Sequence, residues 1–321
     1  EAGFEPIIID NFCASEKFII DRLEQITGKK IKVYENDCRD KNAVREIFEK
    51  EKPQGVIHFA AFKSVGESIE NPQKYYDNNI QSLVVMLEVM KEFKVIDLVF
   101  SSSCTVYGEP ENIPVDENTP LQKASSPYGE TKVICEQKLH EFRNLNLDFR
   151  FCILRYFNPI GAHPSGLIGE LPIGIPTNLV PFITQTAAGW RAQLTINGKD
   201  YTTPDGTCIR DYIHVVDLAK AHVSALKWLN EQKNYFAPEI FNLGTGKGNS
   251  ILEAIKAFEN RNKLKLKYVF GPKREGDVEK IYASVKKAND ILKWKCNFTL
   301  EDAMEHAWQW QKTLTTKTDK I

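Results

Sequence analysis

Short apolar runs rich in β-branched residues alternate with longer amphipathic stretches along the first half of the chain. The apolar runs cover residues 6–10, 31–37, 55–60, 98–103 and 149–157, and the amphipathic stretches cover 16–27, 42–51, 72–93 and 128–144. Apolar strands separated by helices are typical of a parallel sheet that helices cover on both faces. Because crossovers between parallel strands are right-handed, the pattern predicts an α/β, doubly wound, Rossmann-like sheet.

The pattern changes after Asn158. Residues 158–178 are rich in proline and glycine, which predicts a long ordered loop of the kind that usually has a function. Beyond this loop the apolar runs and amphipathic stretches are shorter and less regular. We therefore predict a first domain over residues 1–158 and a smaller α/β domain over 159–321, with some segments of the second returning to pack on the first.

Composition and charge narrow the classes of function. The 321 residues carry 42 Lys plus Arg and 43 Asp plus Glu, a net charge of -1 that favours neither nucleic acid nor an anionic membrane as partner. No apolar run is long enough to span a membrane, and the first residues lack the basic segment of a secretory signal. The seven cysteines form no CxxC pair, and the histidines form no HxxxH pair. We expect a cytoplasmic protein without disulfides or a bound metal.

An acid, Asp10, ends the first apolar run. In a dinucleotide-binding fold the second strand ends in an acid that binds the adenosine ribose, about twenty residues after a glycine-rich turn for the pyrophosphate. Counting that far back from Asp10 passes the first residue. With this role for Asp10, we expect the first strand and the glycine turn to be missing, and the chain alone to be unstable and to bind the dinucleotide poorly. A turn or helix cap is the alternative role.

A glycine-rich segment at 242–250 has features of a phosphate-binding loop. It follows a short apolar run and precedes an amphipathic stretch at 251–258. Its GTGKG core has the spacing of neither GxGxxG nor GxxxxGK[ST], and the next apolar run, 265–270, ends in Gly271 instead of an acid. We therefore predict a tight strand-to-helix turn here.

The most informative short motif is Tyr128 and Lys132, at positions i and i+4 of a predicted helix. Residues at this spacing share one helix face, and Pro127 after Ser125 or Ser126 is typical of a helix start. A nearby ammonium favours the phenolate and lowers the pKa of a phenol from its ordinary value of about 10. Such a tyrosine can take a proton from an alcohol while a hydride leaves the same carbon. The pair alone is weak evidence, because surface helices also carry it by chance.

Further motifs occur in a fixed order around this pair. They are HFAAFKSVGES at 58–68, YYDNN at 75–79, FSSSCTVYG at 100–108, SPYG at 126–129, LRYFNP at 154–159, GAHPSG at 161–166, DGT at 205–207, RDYIHV at 210–215 and REGD at 274–277. By these motifs the chain resembles the UDP-glucose 4-epimerases of the extended short-chain dehydrogenase/reductase family. The resemblance covers essentially the whole chain.

The resemblance implies an isomerase that interconverts UDP-glucose and UDP-galactose with a bound NAD that is not consumed. Tyr128 would deprotonate the sugar 4-hydroxyl, Lys132 would tune it and hold the nicotinamide ribose, and Ser103 would position the hydroxyl. Hydride would pass from C4 to NAD, the 4-keto sugar would turn about its diphosphate linkage, and the hydride would return to the opposite face. The resemblance also implies a homodimer.

The resemblance further implies which residues line the two ligands. Those for NAD are Asp10, Asn11, Asp37, Cys38, Phe59, Ala60, Lys63, Asn78, Tyr128, Lys132 and Phe157. Those for the UDP-sugar are Ser103, Tyr128, Asn158, Asn178, Leu179, Arg210, Arg274 and Asp277. Arginine suits a diphosphate because its planar guanidinium can bind two oxygens at once. Surface ion pairs are the alternative role for the two arginines, and we predict structural roles for His163 and His214.

Departures from the family pattern leave the exact activity open. Asn197 stands where the family often has an aromatic residue that packs near the uridine. Ile281 occupies the position that limits the size of the sugar pocket. In the family, a tyrosine at this position is typical of members with a narrow pocket, and a small residue is typical of members that accept N-acetylated sugars. A 4,6-dehydratase would need an acid–base pair next to Ser103, but Cys104 and Thr105 stand there. A plain alcohol dehydrogenase would need no UDP site, so Arg210 and Arg274 argue against it. An N-acetylhexosamine epimerase and an inactive relative stay open at this point.

Overall fold

The first half of the chain forms alternating strands and helices. A computed structural model describes residues 2–232, 235, 237–274 and 277–318. The elements are β1 (Ile7–Ile9), α1 (Phe18–Thr27), β2 (Lys32–Tyr34), α2 (Lys41–Glu51), β3 (Val56–His58), α3 (Val65–Glu70), α4 (Pro72–Tyr75), α5 (Gln81–Phe93), β4 (Asp97–Ser103), α6 (Pro127–Leu145) and β5 (Arg150–Tyr156). A π-helical turn at Tyr76–Ile80 joins α4 to α5, and a 3-10 turn at Cys104–Tyr107 follows β4. The strands and long helices predicted from the periodicity are thus confirmed, with small shifts at their ends.

The strands of the second half are short, as predicted, but its helices include two of 17 and 19 residues, so the predicted shortness does not extend to the helices. The elements are β6 (Asn158–Ile160), α7 (Leu179–Ala187), β7 (Leu194–Asn197), β8 (Ile209–Arg210), β9 (Tyr212–His214), α8 (Val215–Glu231), β10 (Glu239–Leu243), β11 (Asn249–Ser250), α9 (Ile251–Asn262), β12 (Tyr268–Gly271), β13 (Lys280–Ile281), α10 (Lys286–Ile291) and α11 (Leu300–Thr318). Between β6 and α7 the chain runs as a loop, which a β-bridge between Ala162 and Gly169 holds together.

Four parallel strands form the central sheet in the order β10-β5-β4-β3. β4 and β5 pair along their full lengths, from Asp97 opposite Arg150 to Ser103 opposite Tyr156. Among the described strands, β1 pairs only with β2, in a separate parallel sheet of two strands. The parallel sheet with its crossover helices confirms the predicted α/β, Rossmann-like class.

Alternate residues of β4 face two different apolar cores. Leu98 and Phe100 pack in the core that α2, α5 and α6 share, whereas Val99 packs in the core on the α8 and α10 side. Every residue of β4 is buried. Because successive side chains of a strand point to opposite faces, burial on both faces favours a continuous apolar run, which β4 has at residues 98–100 before its three serines.

Segments from the second half return to the central sheet. β10 pairs in parallel with β5 and is the strand at one edge of the central sheet. Helix α8 packs against β4 and β5. A separate apolar core involves α7, β7, α9 and α11. The exact boundary at residue 158 stays a prediction, because the chain crosses between the two cores several times.

Among the described residues, no helix combines the length and the hydropathy that a membrane span requires. The same part of the chain holds no group of three or more His, Cys, Asp or Glu side chains arranged to bind a metal ion. All seven cysteines are free thiols.

Candidate active site

Two buried elements bring Ser103, Tyr128 and Lys132 to one end of the central sheet. Ser103 is the last residue of β4, and Tyr128 and Lys132 lie near the start of α6. Each of the three residues is exposed by 9% or less. The predicted start of α6 is confirmed, because the Ser126 hydroxyl accepts the backbone N–H of Gly129 at 3.2 Å. A strand end and a capped helix therefore fix the three side chains.

The surroundings of Tyr128 favour its neutral phenol. Burial raises the pKa of Tyr128 well above its ordinary value, Tyr156 acts in the same direction, and a hydrogen bond with Ser103 acts in the opposite one. The sequence predicted a pKa lowered by Lys132, and for the protein alone that prediction is wrong. The physical reason is desolvation, because the cost of a buried phenolate exceeds the attraction of the nearby cation.

Lys132 lies between the sheet and the Tyr128 ring. Its Nζ donates to the Ser101 carbonyl oxygen at 2.7 Å, and lies 5.1 Å from the Phe100 ring centroid and 5.9 Å from that of Tyr128. Burial lowers the pKa of Lys132 to about 8. The amine can therefore gain or lose a proton close to neutral pH, beside a phenol.

A buried ion pair that the sequence analysis missed supports this group. Glu136 accepts from the Ser102 hydroxyl at 2.5 Å and from Arg155 Nε and Nη2 at 3.0 and 2.6 Å. Arg155 also donates to the Tyr107 hydroxyl at 3.1 Å. The network ties α6 to β4 and β5 directly behind the candidate site. The spacing of Glu136 from Lys132, one helical turn, is the signal that could have found it.

The acids predicted for the cofactor lie together at the ends of β1 and β2. Asn11 Nδ2 donates to Asp37 Oδ2 at 3.2 Å, and Asp10 accepts a backbone N–H two residues further on at 2.7 Å. Hydrogen bonds from Arg39, a residue that the sequence analysis missed, lower the pKa of Asp37 to about 2. Burial raises the pKa of Cys38 to about 11, so its thiol is neutral.

The segment after β3 carries Phe59, Ala60 and Lys63. The Phe59 ring is 54% exposed and its centroid lies 4.6 Å from that of His222. Lys63 Nζ lies 2.9 Å from the Glu170 carboxylate, which belongs to the loop between β6 and α7. An exposed aromatic ring and an exposed cation thus border this edge of the sheet.

Asn78 and Phe157 have more enclosed surroundings. Asn78 lies in the π-helical turn, where its amide donates to Asn79 Oδ1 at 3.1 Å. Phe157 is buried in an apolar cluster that also contains Tyr107 and Ile281. Ile281, at the position that bears on sugar size, is only 4% exposed.

Arg210, Arg274 and Asp277 form one charged cluster. Asp277 lies between the two guanidinium groups, 3.8 Å from Arg210 Nη2 and 3.9 Å from Arg274 Nε. With its amide oxygen facing the guanidinium, Asn197 accepts from Arg274 Nε at 2.7 Å and Nη2 at 2.9 Å. The residues between Arg274 and Asp277 in the REGD motif lie outside the described part of the chain. Asn197 departs from the family pattern in the sequence, and its contact with Arg274 is visible only in the structure.

Electrostatics connects this cluster to the end of β4. Burial raises the pKa of Cys104 to about 12, and the charge of Arg210 acts against that shift. Cys104 directly follows Ser103 in the chain, so the charge of Arg210 acts on the residue next to this serine.

The remaining predicted substrate residues lie on β6 and α7. Asn158 is the first residue of β6, and its N–H donates to the Asp211 carbonyl at 2.9 Å. Asn178 immediately precedes α7 and donates from Nδ2 to the Glu170 carboxylate at 2.6 Å. Leu179 is the first residue of α7.

His163 and His214, the two histidines with predicted structural roles, contact other protein groups, and His214 Nε2 lies 3.0 Å from His306 Nδ1. His214 caps α8, since its Nδ1 accepts the N–H of Val216 at 3.0 Å. His163 Nδ1 lies 2.8 Å from the Ser165 hydroxyl within the loop after β6.

The glycine-rich segment forms a turn around the carboxylate of Asp211. Asp211 accepts the backbone N–H groups of Thr245 at 2.7 Å, Gly246 at 3.1 Å and Ala283 at 3.2 Å. A Cβ added to Gly244 would lie 2.3 Å from Asp211 Oδ2, so glycine is required for this approach. The segment connects β10 to β11 and α9, which confirms the predicted strand-to-helix turn.

Comparisons with known proteins agree with this arrangement of fold and site. The family model described as GDP-mannose 4,6 dehydratase matches residues 1–307. The UDP-glucose 4-epimerase GEPI48 of Cyamopsis tetragonoloba is 46% identical over 311 residues, which cover 96% of this chain and 88% of that protein. The UDP-glucose 4-epimerase of Yersinia pestis is 45% identical over 311 residues, which cover 97% of this chain and 91% of that protein.

Solved structures are similar over the same length. A crystal structure of UDP-glucose 4-epimerase from Bifidobacterium longum in complex with NAD+ and UDP has a TM-score of 0.93 and 43% identity, covering 97% of this chain and 92% of that one. The enzyme from Stenotrophomonas maltophila with bound NAD has a TM-score of 0.94 and 41% identity, covering 98% and 92%. The chain therefore belongs to the UDP-glucose 4-epimerase family, a group of the short-chain dehydrogenase/reductase type.

Proposed function

We propose that the chain is an NAD-dependent isomerase that interconverts UDP-glucose and UDP-galactose by inverting C4 of the sugar. The observation that supports this most is the buried group of Ser103, Tyr128 and Lys132 at one end of the central sheet. Oxidation and reduction at one carbon need a proton acceptor and a hydride acceptor at that carbon. A diphosphate some distance away needs cations, and the two arginines can supply them.

Tyr128 holds and moves the proton in this proposal. Its Oη takes the proton of the sugar 4-hydroxyl and returns it when the other epimer forms, a contribution of about 10²- to 10⁴-fold. Ser103 orients the same hydroxyl, since a serine can both donate and accept a hydrogen bond. Because burial raises the pKa of Tyr128, the phenolate needs a cation nearby, and the protonated form of Lys132 provides one.

The residues at the strand ends fit NAD. The ionised carboxylate of Asp37 and the side chain of Asp10 suit the ribose hydroxyls, because both follow parallel strands at the edge where dinucleotides bind. The other residues proposed to line the cofactor are Asn11, Cys38, Phe59, Ala60, Lys63, Asn78, Tyr128, Lys132 and Phe157. When bound, NAD supplies the hydride acceptor, and its positively charged ring favours the Tyr128 phenolate.

Arg210, Arg274 and Asp277 hold the nucleotide part of the substrate. The guanidinium groups bind diphosphate oxygens, and Asn158, Asn178 and Leu179 line the remainder of the UDP-sugar. Binding energy that is concentrated on the diphosphate, remote from C4, keeps the oxidised sugar bound while leaving the sugar ring free to turn.

The surroundings of Ser103 favour epimerisation over 4,6-dehydration. Dehydration needs an acid–base pair beside this serine, and a cysteine and a threonine follow it. Burial raises the pKa of Cys104 to about 12, so its thiol does not exchange protons near neutral pH. Incubation of UDP-galactose with the chain tests the proposal, with NAD in large excess because weak binding of the dinucleotide is expected, and with UDP-glucose measured by a coupled dehydrogenase. Formation of UDP-glucose is expected, and a product lighter by one water would contradict it.

We further propose that the protein is a homodimer of the cytoplasm. The seven free thiols suit a reducing compartment, and the family resemblance supports the dimer. Light scattering on the purified chain measures its mass directly, and a monomer at micromolar concentration would contradict this part of the proposal.

A further inference from the structure

We propose that Glu170 is a positioning residue that orients one side chain for each ligand, Asn178 for the UDP-sugar and Lys63 for NAD. A single carboxylate oxygen, Glu170 Oε1, accepts from Lys63 Nζ at 2.9 Å and from Asn178 Nδ2 at 2.6 Å. The inference rests on the proposed function, which assigns Lys63 to the cofactor and Asn178 to the substrate. Glu170 itself was assigned no role by the sequence motifs.

The backbone at Glu170 is held against α11. Trp310 Nε1 donates to the Glu170 carbonyl at 3.0 Å, and Trp310 is only 3% exposed. The preceding residue, Gly169, pairs with Ala162, and a Cβ added to Gly169 would lie 2.5 Å from the Trp310 ring. The carboxylate therefore extends from a fixed point of the loop. Its side chain is 28% exposed, so a ligand can approach it.

The Asn178 side chain contacts Glu170 and does not cap the helix α7 that it precedes. It occupies the N-cap position of α7, where an asparagine side chain ordinarily accepts an N–H of the first turn. The Asn178 side chain makes no cap hydrogen bond and its Nδ2 donates to Glu170 instead. An amide nitrogen has two hydrogens. With one directed to Glu170, the direction of the other is fixed, and that one can donate to a diphosphate oxygen.

Lys63 approaches the same oxygen from the segment between β3 and α3. Its side chain is 66% exposed, so the ion pair by itself contributes little to stability. Its effect is geometric, since an ammonium with three hydrogens can contact Glu170 and a ligand oxygen at the same time. One carboxylate thus joins the loop before α7 to the segment after β3.

Double-mutant cycles on the full chain test this role. The dissociation constant of UDP is measured by calorimetry for the wild type, Glu170→Ala, Asn178→Ala and the double variant. We expect Glu170→Ala to weaken UDP binding about five- to tenfold, the range of one lost hydrogen bond. The double variant should bind UDP no more weakly than Asn178→Ala alone, because Glu170 acts through Asn178. Glu170→Gln retains an acceptor for Asn178 and should restore UDP binding to within about twofold of the wild type.

The same cycle with Lys63→Ala and the dissociation constant of NAD tests the cofactor side. Glu170→Ala should weaken NAD binding about threefold when Lys63 is present and leave it unchanged when Lys63 is absent. Glu88→Ala is the matched control, since it breaks a 2.8 Å ion pair with Lys41 that joins α5 to α2. That variant should bind both ligands like the wild type.

Two results would overturn the positioning role. One is additive loss in the double variants, and the other is unchanged UDP binding in Glu170→Ala. A wild-type chain that neither binds UDP nor converts UDP-galactose would overturn the proposed function, and the role of Glu170 with it. A wild-type chain that does both, with additive variants, would overturn the role of Glu170 alone.

Discussion

The proton-transfer group and the arginine cluster are two parts of one candidate site, and they are built differently. Ser103, Tyr128 and Lys132 lie on β4 and α6 and are almost fully buried, whereas the Arg274 side chain is 56% exposed. In the buried part, desolvation sets the pKa values. In the exposed part, water screens the charges and a few side-chain contacts set the geometry. Substitutions should therefore change kcat in the first part and KM in the second.

The largest expected effect is that of Tyr128→Phe. Because the variant keeps the ring and loses only the proton-transferring hydroxyl, kcat should fall about 10²- to 10⁴-fold with little change in the melting temperature. The measurement is conversion of UDP-galactose together with thermal unfolding. Tyr268→Phe, at an exposed position of β12, is the matched control and should keep full activity. Normal turnover in Tyr128→Phe would contradict the assignment.

The second prediction tests whether the amine of Lys132 is desolvated in the folded protein. The pKa is about 8 in the folded protein and 10.5 in the absence of burial, so the unfolded chain binds more protons between these values. The contribution of Lys132 to the free energy of unfolding therefore rises as the pH increases from 8 to 10.5. Below pH 8 the buried amine is protonated, and its desolvation destabilises the folded protein by the full amount. Relative to Lys132→Met, the wild type should gain on the order of 3 kcal/mol across that window.

Denaturant unfolding at several pH values measures this difference. Lys265→Met, at a side chain that is 86% exposed, is the control and should show no such trend. A difference between the wild type and Lys132→Met that stays constant with pH would mean that the lysine is not desolvated.

Arg274→Ala tests the exposed part of the site. Loss of a charge-assisted contact to the diphosphate should raise KM for UDP-galactose about tenfold or more, while kcat stays within a few-fold. Arg261→Ala removes an arginine of similar exposure that pairs with Asp302 and Glu305, and should leave KM unchanged. A fall in kcat that exceeds the rise in KM would mean that the two parts of the site are not separate.

The smallest expected effect is that of Asn197→Leu, which removes the acceptor that holds Arg274. KM should rise about threefold to fivefold because the exposed guanidinium loses the two hydrogen bonds that orient it. In the Arg274→Ala background the same substitution should change nothing. A similar rise in both backgrounds would indicate that Asn197 contacts the substrate by another route.

Local patterns in the sequence predict the buried part of the site best. β4 is buried along its whole length and contains the apolar run Leu98-Val99-Phe100, and the i, i+4 spacing places Tyr128 and Lys132 on one helix face. The position of Ser103 at the end of an apolar run is equally local. These features depend on neighbours within a few residues, so the strand, the helix and the three side chains could be predicted together.

Contacts between distant segments could not be predicted in this way. Lys63 and Glu170 are 107 residues apart, and Asn197 at the end of β7 contacts Arg274 in the segment after β12. The resemblance to a family indicated the arginines but not the side chains that hold them. The direction of the Tyr128 pKa was missed for the same reason, because the extent of burial depends on the whole fold and not on the spacing of two residues.

The turn around Asp211 has a consequence for how glycine-rich segments are interpreted. Three backbone N–H groups converge on this carboxylate in the manner of a nest that holds a phosphate. Backbone groups that could bind a phosphate therefore bind a carboxylate of the same chain. Because these N–H groups already have an acceptor, they do not bind a nucleotide from solution. Their hydrogen bonds instead hold together the three chain segments that contain Asp211, Gly246 and Ala283.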